Sequence, residues 1–312
     1  MLGPQDVGYR VVVRRIVGVR GNRPLFSDAL GELIALDAAG VTVATRGGPV
    51  RIAHEEIQAA KRVPRSRGEV AELERVANLA WPAAETEPLG EWTLRATGGW
   101  TGRGNSALPT GDPGMTRGAA IEAVVDWYAA RGLPARINVP LPAYAALDAA
   151  LDALGWSRSP TTLVLTAPLA TVLDALPERT DLPPVRLDAV PDGDWLAAVA
   201  THKGALPPMA YRVLTGPERV RCASVDRAVA VARGAVVDGH LHLGLLAVTE
   251  PARRQGLAGH VTRALARWGT DEGAGTAFLQ VEQRNLGAVA LYTRLGFRTH
   301  HEYVTRTAPR PQ

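Results

Sequence analysis

Apolar residues in the last quarter of the chain follow two different periods. Leu245 to Val248 form a short apolar run that predicts a buried strand, and Thr249-Glu250-Pro251 ends it. Leu257, Val261 and Leu265 then recur every four residues, which predicts a helix. The helix follows an Arg- and Gly-rich turn, so its first backbone amides have no partner within the helix.

The residues of this turn suit a phosphate ligand. Gly256 and Ala258 let the backbone approach a pyrophosphate closely, while the helix dipole and Arg253 favour its negative charge. The turn resembles motif A of the GCN5-related N-acetyltransferases (GNAT), whose Arg/Gln-x-x-Gly-x-Gly/Ala sequence binds the pyrophosphate of acetyl-CoA. A Rossmann loop is a poorer match because no Gly-x-Gly precedes the turn.

A second signal follows about thirty residues later. Asn285 and Tyr292 are seven residues apart, which places both on one face of a helix, and Gly296-Phe297 follows. This spacing resembles GNAT motif B, in which the Asn holds the pantetheine arm and the Tyr protonates the leaving thiolate. The resemblance implies acetyl-CoA as cosubstrate, no metal, and the following cofactor-binding residues: Leu246, Ala247, Val248, Arg253, Arg254, Gln255, Gly256, Leu257, Ala258, Gly259, Asn285 and Tyr292.

Transfer to an amine also requires a base, because an alkyl ammonium with a pKa near ~10.4 must lose a proton before it attacks. Tyr292 is the predicted general acid. Glu282 is the preferred base, ahead of His242 and Glu250. For each of these three residues taken singly, a solvated or structurally hydrogen-bonded role is the favoured interpretation.

Other candidates for chemistry are weaker. His240 and His242 share a strand face, and His300-His301 are adjacent, but neither pair has an evident third metal ligand. Cys222 is the single cysteine, so an internal disulfide is excluded and a buried, inert thiol is expected. The Gly- and Asn-rich loop at 98–106 is either part of an acceptor pocket or a plain flexible connection.

Residues 1–67 have a different pattern, with β-rich runs separated by Gly-containing turns. The runs lie at 9–13, 33–36 and 41–44. They predict a small SH3-like β-barrel, followed by a linker at 62–68.

Charge also separates this segment from the rest. Residues 1–67 contain 11 Lys/Arg and 6 Asp/Glu, whereas the remainder contains 24 and 25. The basic segment is compatible with nucleic acid or with an acidic protein. Its only aromatic residues are Tyr9 and Phe26, so we predict a module that packs on the enzyme or recruits a protein, and not one that binds nucleic acid.

The middle of the chain contains an internal repeat. A shift of 141 residues aligns Leu154-Gly155-Trp156 with Leu295-Gly296-Phe297. In the earlier copy the chemistry is absent: the matching positions are Leu151 for Tyr292, Tyr144 for Asn285, and Asp112–Arg117 for the phosphate turn. The segment therefore resembles a degenerate GNAT half.

The sequence thus predicts a mixed α/β (α+β) GNAT fold in tandem. Its expected domains are a basic barrel at 1–67, a degenerate half at 68–180 and a catalytic half at 181–312. The expected function is acetyl transfer from acetyl-CoA to a primary amine, on a small molecule or a protein. A non-catalytic acyl-CoA sensor or a nucleic-acid- or protein-binding regulator is the alternative. The whole resembles actinobacterial GNAT proteins with an N-terminal SH3-like domain, some of which carry histone-acetyltransferase-like names.

No charged-then-apolar leader and no apolar run of ~20 residues is evident, so a cytoplasmic location without membrane contact is expected. Of the 35 basic residues only Lys61 and Lys203 are lysines, a bias typical of GC-rich bacterial genomes.

Overall fold

The computed structural model describes residues 2–309 and divides into two compact units. The N-terminal unit ends at Ser66 and the C-terminal unit begins at Arg67. Among the described residues, no helix has both the length and the apolar character needed to cross a bilayer.

The N-terminal unit is a five-stranded antiparallel sheet in the order β4-β3-β2-β1-β5. Its core side chains, including Val11, Val13, Leu33 and Ile52, alternate along the strands as expected for a sheet with one buried face. The strands are β1 (Arg10–Arg20), β2 (Arg23–Asp37), β3 (Gly40–Thr45), β4 (Gly48–Ala53) and β5 (Ile57–Arg62).

The predicted β-rich runs are present in this unit, but the barrel is not confirmed. Within residues 2–66, β4 pairs with β3 and β5 pairs with β1, and the two edge strands do not pair with each other. The sheet order is therefore open. The predicted linker is also shorter than expected, because Arg62 ends β5 and Arg67 begins the first helix.

The C-terminal unit contains two successive halves. The first half comprises α1 (Arg67–Ala80), β6 (Glu85–Leu89), β7 (Trp92–Ala96), α2 (Arg117–Ala129), β8 (Arg136–Leu141), α3 (Ala145–Ala153), β9 (Ser157–Arg158) and β10 (Thr162–Pro168). The second half comprises α4 (Leu169–Ala175), β11 (Val185–Asp188), α5 (Gly193–Lys203), α6 (Pro208–Thr215), β12 (Arg219–Val225), β13 (Ala230–Val237), β14 (His240–Val248), α7 (Leu257–Asp271), β15 (Thr276–Glu282), α8 (Leu286–Arg294) and β16 (Arg298–Thr307).

Both halves contribute to one large sheet in the described part of this unit. Its order is β11-β12-β13-β14-β15-β10-β16-β8, with β9 beside β16. Neighbouring strands run antiparallel except for the pair β14 and β15, which is parallel. The parallel pair lies in the second half, where the sequence places the cofactor.

The repeat of 141 residues is visible in the secondary structure. Helices α3 and α8 begin and end 141 residues apart. Each is followed by a glycine in the left-handed region, Gly155 with φ 75° and Gly296 with φ 85°. In both, the amide of the next, aromatic residue donates to the carbonyl five residues earlier at 3.0 Å. Both helices thus end in the same glycine cap.

The last strand of each half pairs with the other half. Strand β10 pairs with β15 of the second half, and β16 pairs with β8 of the first half, while β10 and β16 pair with each other. Arg306 strengthens this exchange, because its guanidinium bonds to Asp148 and Asp152 of α3 at 2.7 Å each. The two halves are therefore held together by shared backbone pairing.

Candidate active site

The parallel strands β14 and β15 separate part of the way along their length. They pair only from His240 and Thr276 to His242 and Phe278. Beyond this point β14 contains a bulge, in which its register on β13 shifts and Leu245 adopts φ 55°. A bulge adds local twist, which turns β14 away from β15. The left-handed conformation of Leu245 costs ~1–2 kcal/mol, so the surrounding structure must hold the bulge in place.

The divergence opens a cleft of about 850 Å³. One wall is the edge of β14 from Leu243 to Leu246, whose backbone groups on the β15 side have no strand partner. The sequence-predicted Ala247 and Val248 continue this strand and pair with β13 on the other side. The remaining lining residues come from β15, β16, α8 with its N-cap, and the first half: Gly102, Arg103, Arg136, Ser159, Pro160, Thr162, Leu279, Gln280, Val281, Glu282, Asn285, Ala288, Tyr292, Tyr303, Thr305 and Thr307.

The predicted phosphate turn lies directly after β14. Gly256 is the N-cap of α7 with φ 90°, and no side chain caps the helix. Arg254 is also left-handed, with φ 67°. The first amides of α7, from Leu257 to Gly259, therefore remain available to an anion. In the first half, by contrast, the Thr116 side chain caps α2 by accepting from the Ala119 amide at 3.3 Å.

The side chains of the turn fold back onto their own backbone. Arg253 Nε donates to the Val248 carbonyl at 3.3 Å, and Gln255 Nε2 donates to the Pro251 carbonyl at 3.2 Å. Sequence reasoning missed Arg179, which lies so close that a Cβ on Gly256 would be 2.6 Å from its Nη1. Nothing in the local pattern marks Arg179, because it lies in the connection between α4 and β11.

Tyr292 and Asn285 both line the cleft, on the wall opposite β14. The Tyr292 ring is buried and packs edge-on against Phe297, with centroids 5.5 Å apart. Burial raises the pKa of Tyr292, so its phenol is protonated at neutral pH. Asn285 caps α8, because its Oδ1 accepts from the Ala288 amide at 3.2 Å. This helix-capping role was not part of the sequence prediction.

The three candidate bases differ in their surroundings. Glu282 lines the cleft, is half exposed, and pairs with Arg284 at 2.6 Å. His242 is only 4% exposed, and burial, aided by the Arg233 charge, lowers its pKa to about 3. His242 is also not among the cleft residues, so its imidazole is not placed to receive a proton from an acceptor in the cleft. Glu250 is in a short 3-10 turn after β14 and is not among the cleft residues.

The other histidines have structural partners. His240 Nδ1 lies 2.7 Å from the Asp238 carbonyl, and His301 Nε2 lies 3.0 Å from Glu74 Oε1. His301 is therefore part of a buried polar cluster and not of a surface pair. In the part of the chain that the structure describes, no group of three or more His, Cys, Asp or Glu has the geometry of a metal site. Cys222 is buried, and burial raises the pKa of its thiol to about 11.

The loop at 98–106 is held in place by Asn105. Its Oδ1 accepts from the Thr97 and Gly99 amides at 2.8 and 2.9 Å, and its Nδ2 donates to two loop carbonyls at 2.7 Å. Gly102 and Arg103 of the loop line the cleft. Of the two open interpretations of this loop, the hydrogen bonds favour a cleft-lining role over a flexible connection.

Comparison with known proteins agrees with this geometry. Residues 67–305 match the family model described as "Probable histone acetyltransferase Rv0428c C-terminal". The "Probable histone acetyltransferase Rv0428c" of Mycobacterium tuberculosis is 32% identical over 96% of this chain and 95% of its own length. The "Uncharacterized N-acetyltransferase YobR" of Bacillus subtilis is 28% identical over 76% of this chain and 99% of its own length.

Solved structures support the fold. A GCN5-related N-acetyltransferase from Kribbella flavida superimposes with a TM-score of 0.60 at 16% identity, over 80% of this chain and 97% of its own. A tandem GNAT protein of the clavulanic acid biosynthesis pathway superimposes with a TM-score of 0.50 at 16% identity, over 80% of this chain and 99% of its own. The mixed α/β fold with tandem halves is thus confirmed. The chain belongs to the GCN5-related N-acetyltransferases, in the family described by the C-terminal region of Rv0428c.

Proposed function

We propose that the C-terminal unit transfers the acetyl group of acetyl-CoA to a primary amine. One observation carries the proposal: the free edge of β14 is followed, after the turn at 249–256, by the uncapped N-terminus of α7. Pantetheine amides would pair with the edge at 243–248 as an added strand does, and the pyrophosphate would accept from the amides at 254–259.

The reaction then needs three proton movements. The substrate ammonium first loses a proton through water in the cleft, and the Glu282 carboxylate, which lines the cleft, receives it. The amine nitrogen attacks the thioester carbon, whose oxygen is stabilised by a backbone amide of the β14 bulge. As the C–S bond breaks, Tyr292 donates its phenolic proton to the departing sulfur, and the extra proton on the attacking nitrogen passes through water to the Tyr292 phenolate. Asn285 retains its Nδ2 group as a donor for the pantetheine arm.

The first half is the scaffold in this proposal. Its α2 N-terminus is capped by Thr116, and the position equivalent to Tyr292 is Leu151, which carries no proton to donate. The N-terminal unit remains a proposed protein-recruitment module. Its sheet has exposed apolar side chains, including Val19 at 66% and Phe26 at 49% exposure, which suit a protein partner better than a nucleic acid.

Steady-state kinetics of Tyr292→Phe test the mechanism. The variant keeps the ring that packs on Phe297 and removes the donor, so kcat should fall by ~10² to 10⁴ while acetyl-CoA affinity stays within about twofold. Tyr144→Phe is the matched control, since Tyr144 is the equivalent of Asn285 in the first half and its hydroxyl accepts from the Gly111 amide at 3.2 Å. Equal kcat values for Tyr292→Phe and wild type, with chemistry rate-limiting, would exclude the general-acid role. Binding of acetyl-CoA without turnover on any amine would favour the sensor alternative.

A further inference from the structure

Arg103 reaches the cleft with hydrogen-bonding capacity that the protein does not use. Its side chain is 9% exposed, and its Nη2 donates to Glu74 Oε2 at 2.9 Å. Its Nε and Nη1 atoms are buried and make no hydrogen bond of normal geometry, and the guanidinium carbon lies 6.0 Å from the centroid of the Tyr303 ring. Leaving such donors unpaired destabilises the protein, and more strongly when the group is charged. A ligand with acceptor atoms would remove this cost.

A second donor on the cleft is also unpartnered. Gln280 lines the cleft from β15, and its Oε1 is 3.0 Å from His242 Nε2. Its Nε2 is buried and has no hydrogen-bond partner. Because Gln280 Oε1 faces His242, its Nε2 remains as a donor, so Arg103 and Gln280 both present N–H groups in the same cleft. A ligand group that pairs with both must consist of hydrogen-bond acceptors.

The charge near Arg103 is not balanced by the protein. Two guanidinium groups, that of the buried Arg95 and that of the 9%-exposed Arg103, lie beside the single carboxylate of Glu74. Arg95 is satisfied by neutral acceptors, Asn78 Oδ1 and the carbonyl and hydroxyl of Ser106. The side chains of Arg95, Arg103 and Glu74 together therefore carry one net positive charge.

The rest of the cleft does not cancel that charge. Arg136 adds a second positive group to the lining. Glu282 is the only acidic residue among the described lining residues, and it is paired with Arg284 at 2.6 Å. The field in the cleft therefore attracts an anion and opposes a cationic peptide.

We propose that Arg103, assisted by Gln280, binds a carboxylate on the acceptor, so that the acceptor is a small amine that also carries a carboxylate. The inference rests on the proposed acetyl transfer. It differs from the histone acceptor in the name of the mycobacterial relative, because a Lys-rich segment would bring further positive charge to this cluster. The acceptor ammonium loses its charge on deprotonation, whereas its carboxylate keeps the charge that Arg103 recognises.

The test uses the full chain, saturating acetyl-CoA and pairs of amines that differ in one group. Straight-chain ω-amino carboxylates are compared with their primary amides, and with a lysine-containing basic peptide. A hydrogen bond to a charged group contributes ~1.5–3 kcal/mol, so kcat/KM should favour the carboxylate by ~10 to 150-fold, mainly through KM. Equal kcat/KM within each pair, or preference for the basic peptide, would overturn the proposal while leaving acetyl transfer established. Absence of turnover and of acetyl-CoA binding would instead refute the proposed function.

Variants assign the preference to Arg103. Arg103→Met combined with Glu74→Gln removes both charges of the ion pair, and should abolish the preference for the carboxylate without changing the Kd of acetyl-CoA. Arg103→Lys should retain part of it, because Lys keeps the charge but loses the planar donors. Arg131→Met, at a surface arginine that stacks on Trp127, is the control and should retain the full preference.

If the double variant fails to fold, a competition experiment with the wild type tests the proposal. Short-chain monocarboxylates should inhibit competitively with respect to the acceptor amine, and their primary amides should not. Inhibition by both to the same extent would contradict the proposal.

Discussion

Glu74→Gln is a direct perturbation of the buried cluster that positions Arg103. The Glu74 side chain is completely buried on α1, and its two oxygens contact Arg103 Nη2 at 2.9 Å and His301 Nε2 at 3.0 Å. Gln preserves the shape of the side chain and removes its charge. The guanidinium of Arg103 then lacks its buried counter-ion.

The expected loss of stability follows from the pKa of Glu74. Burial by itself raises this pKa, but the charge of Arg103 and the hydrogen bond from His301 outweigh burial and lower it from 4.5 to about 2. The lowered pKa shows that the ionised carboxylate stabilises the fold, and breaking a buried ion pair by removing one partner costs ~3–5 kcal/mol. We therefore expect Glu74→Gln to lower the free energy of unfolding at pH 7 by about 3 kcal/mol.

The pH dependence gives the sign of the effect. Because the folded pKa lies below the unfolded value, the ionised carboxylate stabilises the fold above about pH 4.5, and this stabilisation is lost as the pH falls towards 2. Urea unfolding can be followed by tryptophan fluorescence, since all seven tryptophans lie after residue 66. The difference in the free energy of unfolding between wild type and Glu74→Gln should narrow below pH 4.5.

Glu72→Gln is the matched control on the same helix. Glu72 is 60% exposed and pairs with Arg75 at 2.8 Å. Glu72→Gln should therefore lower the free energy of unfolding by less than ~0.5 kcal/mol. A loss below 1 kcal/mol for Glu74→Gln, or a difference from wild type that does not change with pH, would refute this account of the cluster.

Three further outcomes are expected. Arg306→Met should lower the free energy of unfolding by ~3 kcal/mol, because Arg306 is 4% exposed and its loss leaves the 15%-exposed Asp148 without its partner; a change below 1 kcal/mol would show that the exchanged strand does not depend on this pair. Gly296→Ala should lower the free energy of unfolding by more than the ~1 kcal/mol expected for Gly155→Ala. Both glycines are left-handed, but a Cβ at 296 would lie 2.5 Å from Thr171 Cγ2, whereas a Cβ at 155 meets nothing within 4 Å. Equal losses of unfolding free energy in denaturant would contradict this. Asn105→Ala releases the loop that carries Arg103, so KM for the acceptor should rise at least several-fold with the Kd of acetyl-CoA unchanged; an unchanged KM would separate the loop from acceptor binding.

The sequence was most informative where chemistry and local structure depend on neighbouring residues. The strand, turn and helix around Gly256 could be predicted because the apolar period changes from a continuous run to a helical spacing across a few residues. The repeat was detectable because a glycine cap after a helix has a short signature, Leu-Gly-aromatic, which is present twice.

Features that depend on distant pairing could not be predicted in this way. The exchange of β10 and β16 joins strands that are far apart in the chain. The pattern of apolar residues in each strand predicts a strand but does not indicate which other strand pairs with it. The cluster around Arg103 likewise joins Glu74 to His301, which are 227 residues apart. The N-terminal barrel prediction was not confirmed because alternation of apolar residues predicts strands but does not determine whether the edge strands meet.

The most direct test of the central claim is amide hydrogen exchange of the full chain with and without acetyl-CoA. If the cofactor lies along β14 and against the N-terminus of α7, protection should increase at 243–248 and at 254–259. The equivalent turn of the first half, 112–117, should be unchanged, since Thr116 already caps its helix. Protection at 112–117 in place of 254–259, or acetyl-CoA binding that leaves 254–259 unprotected, would contradict the assignment of the cofactor site.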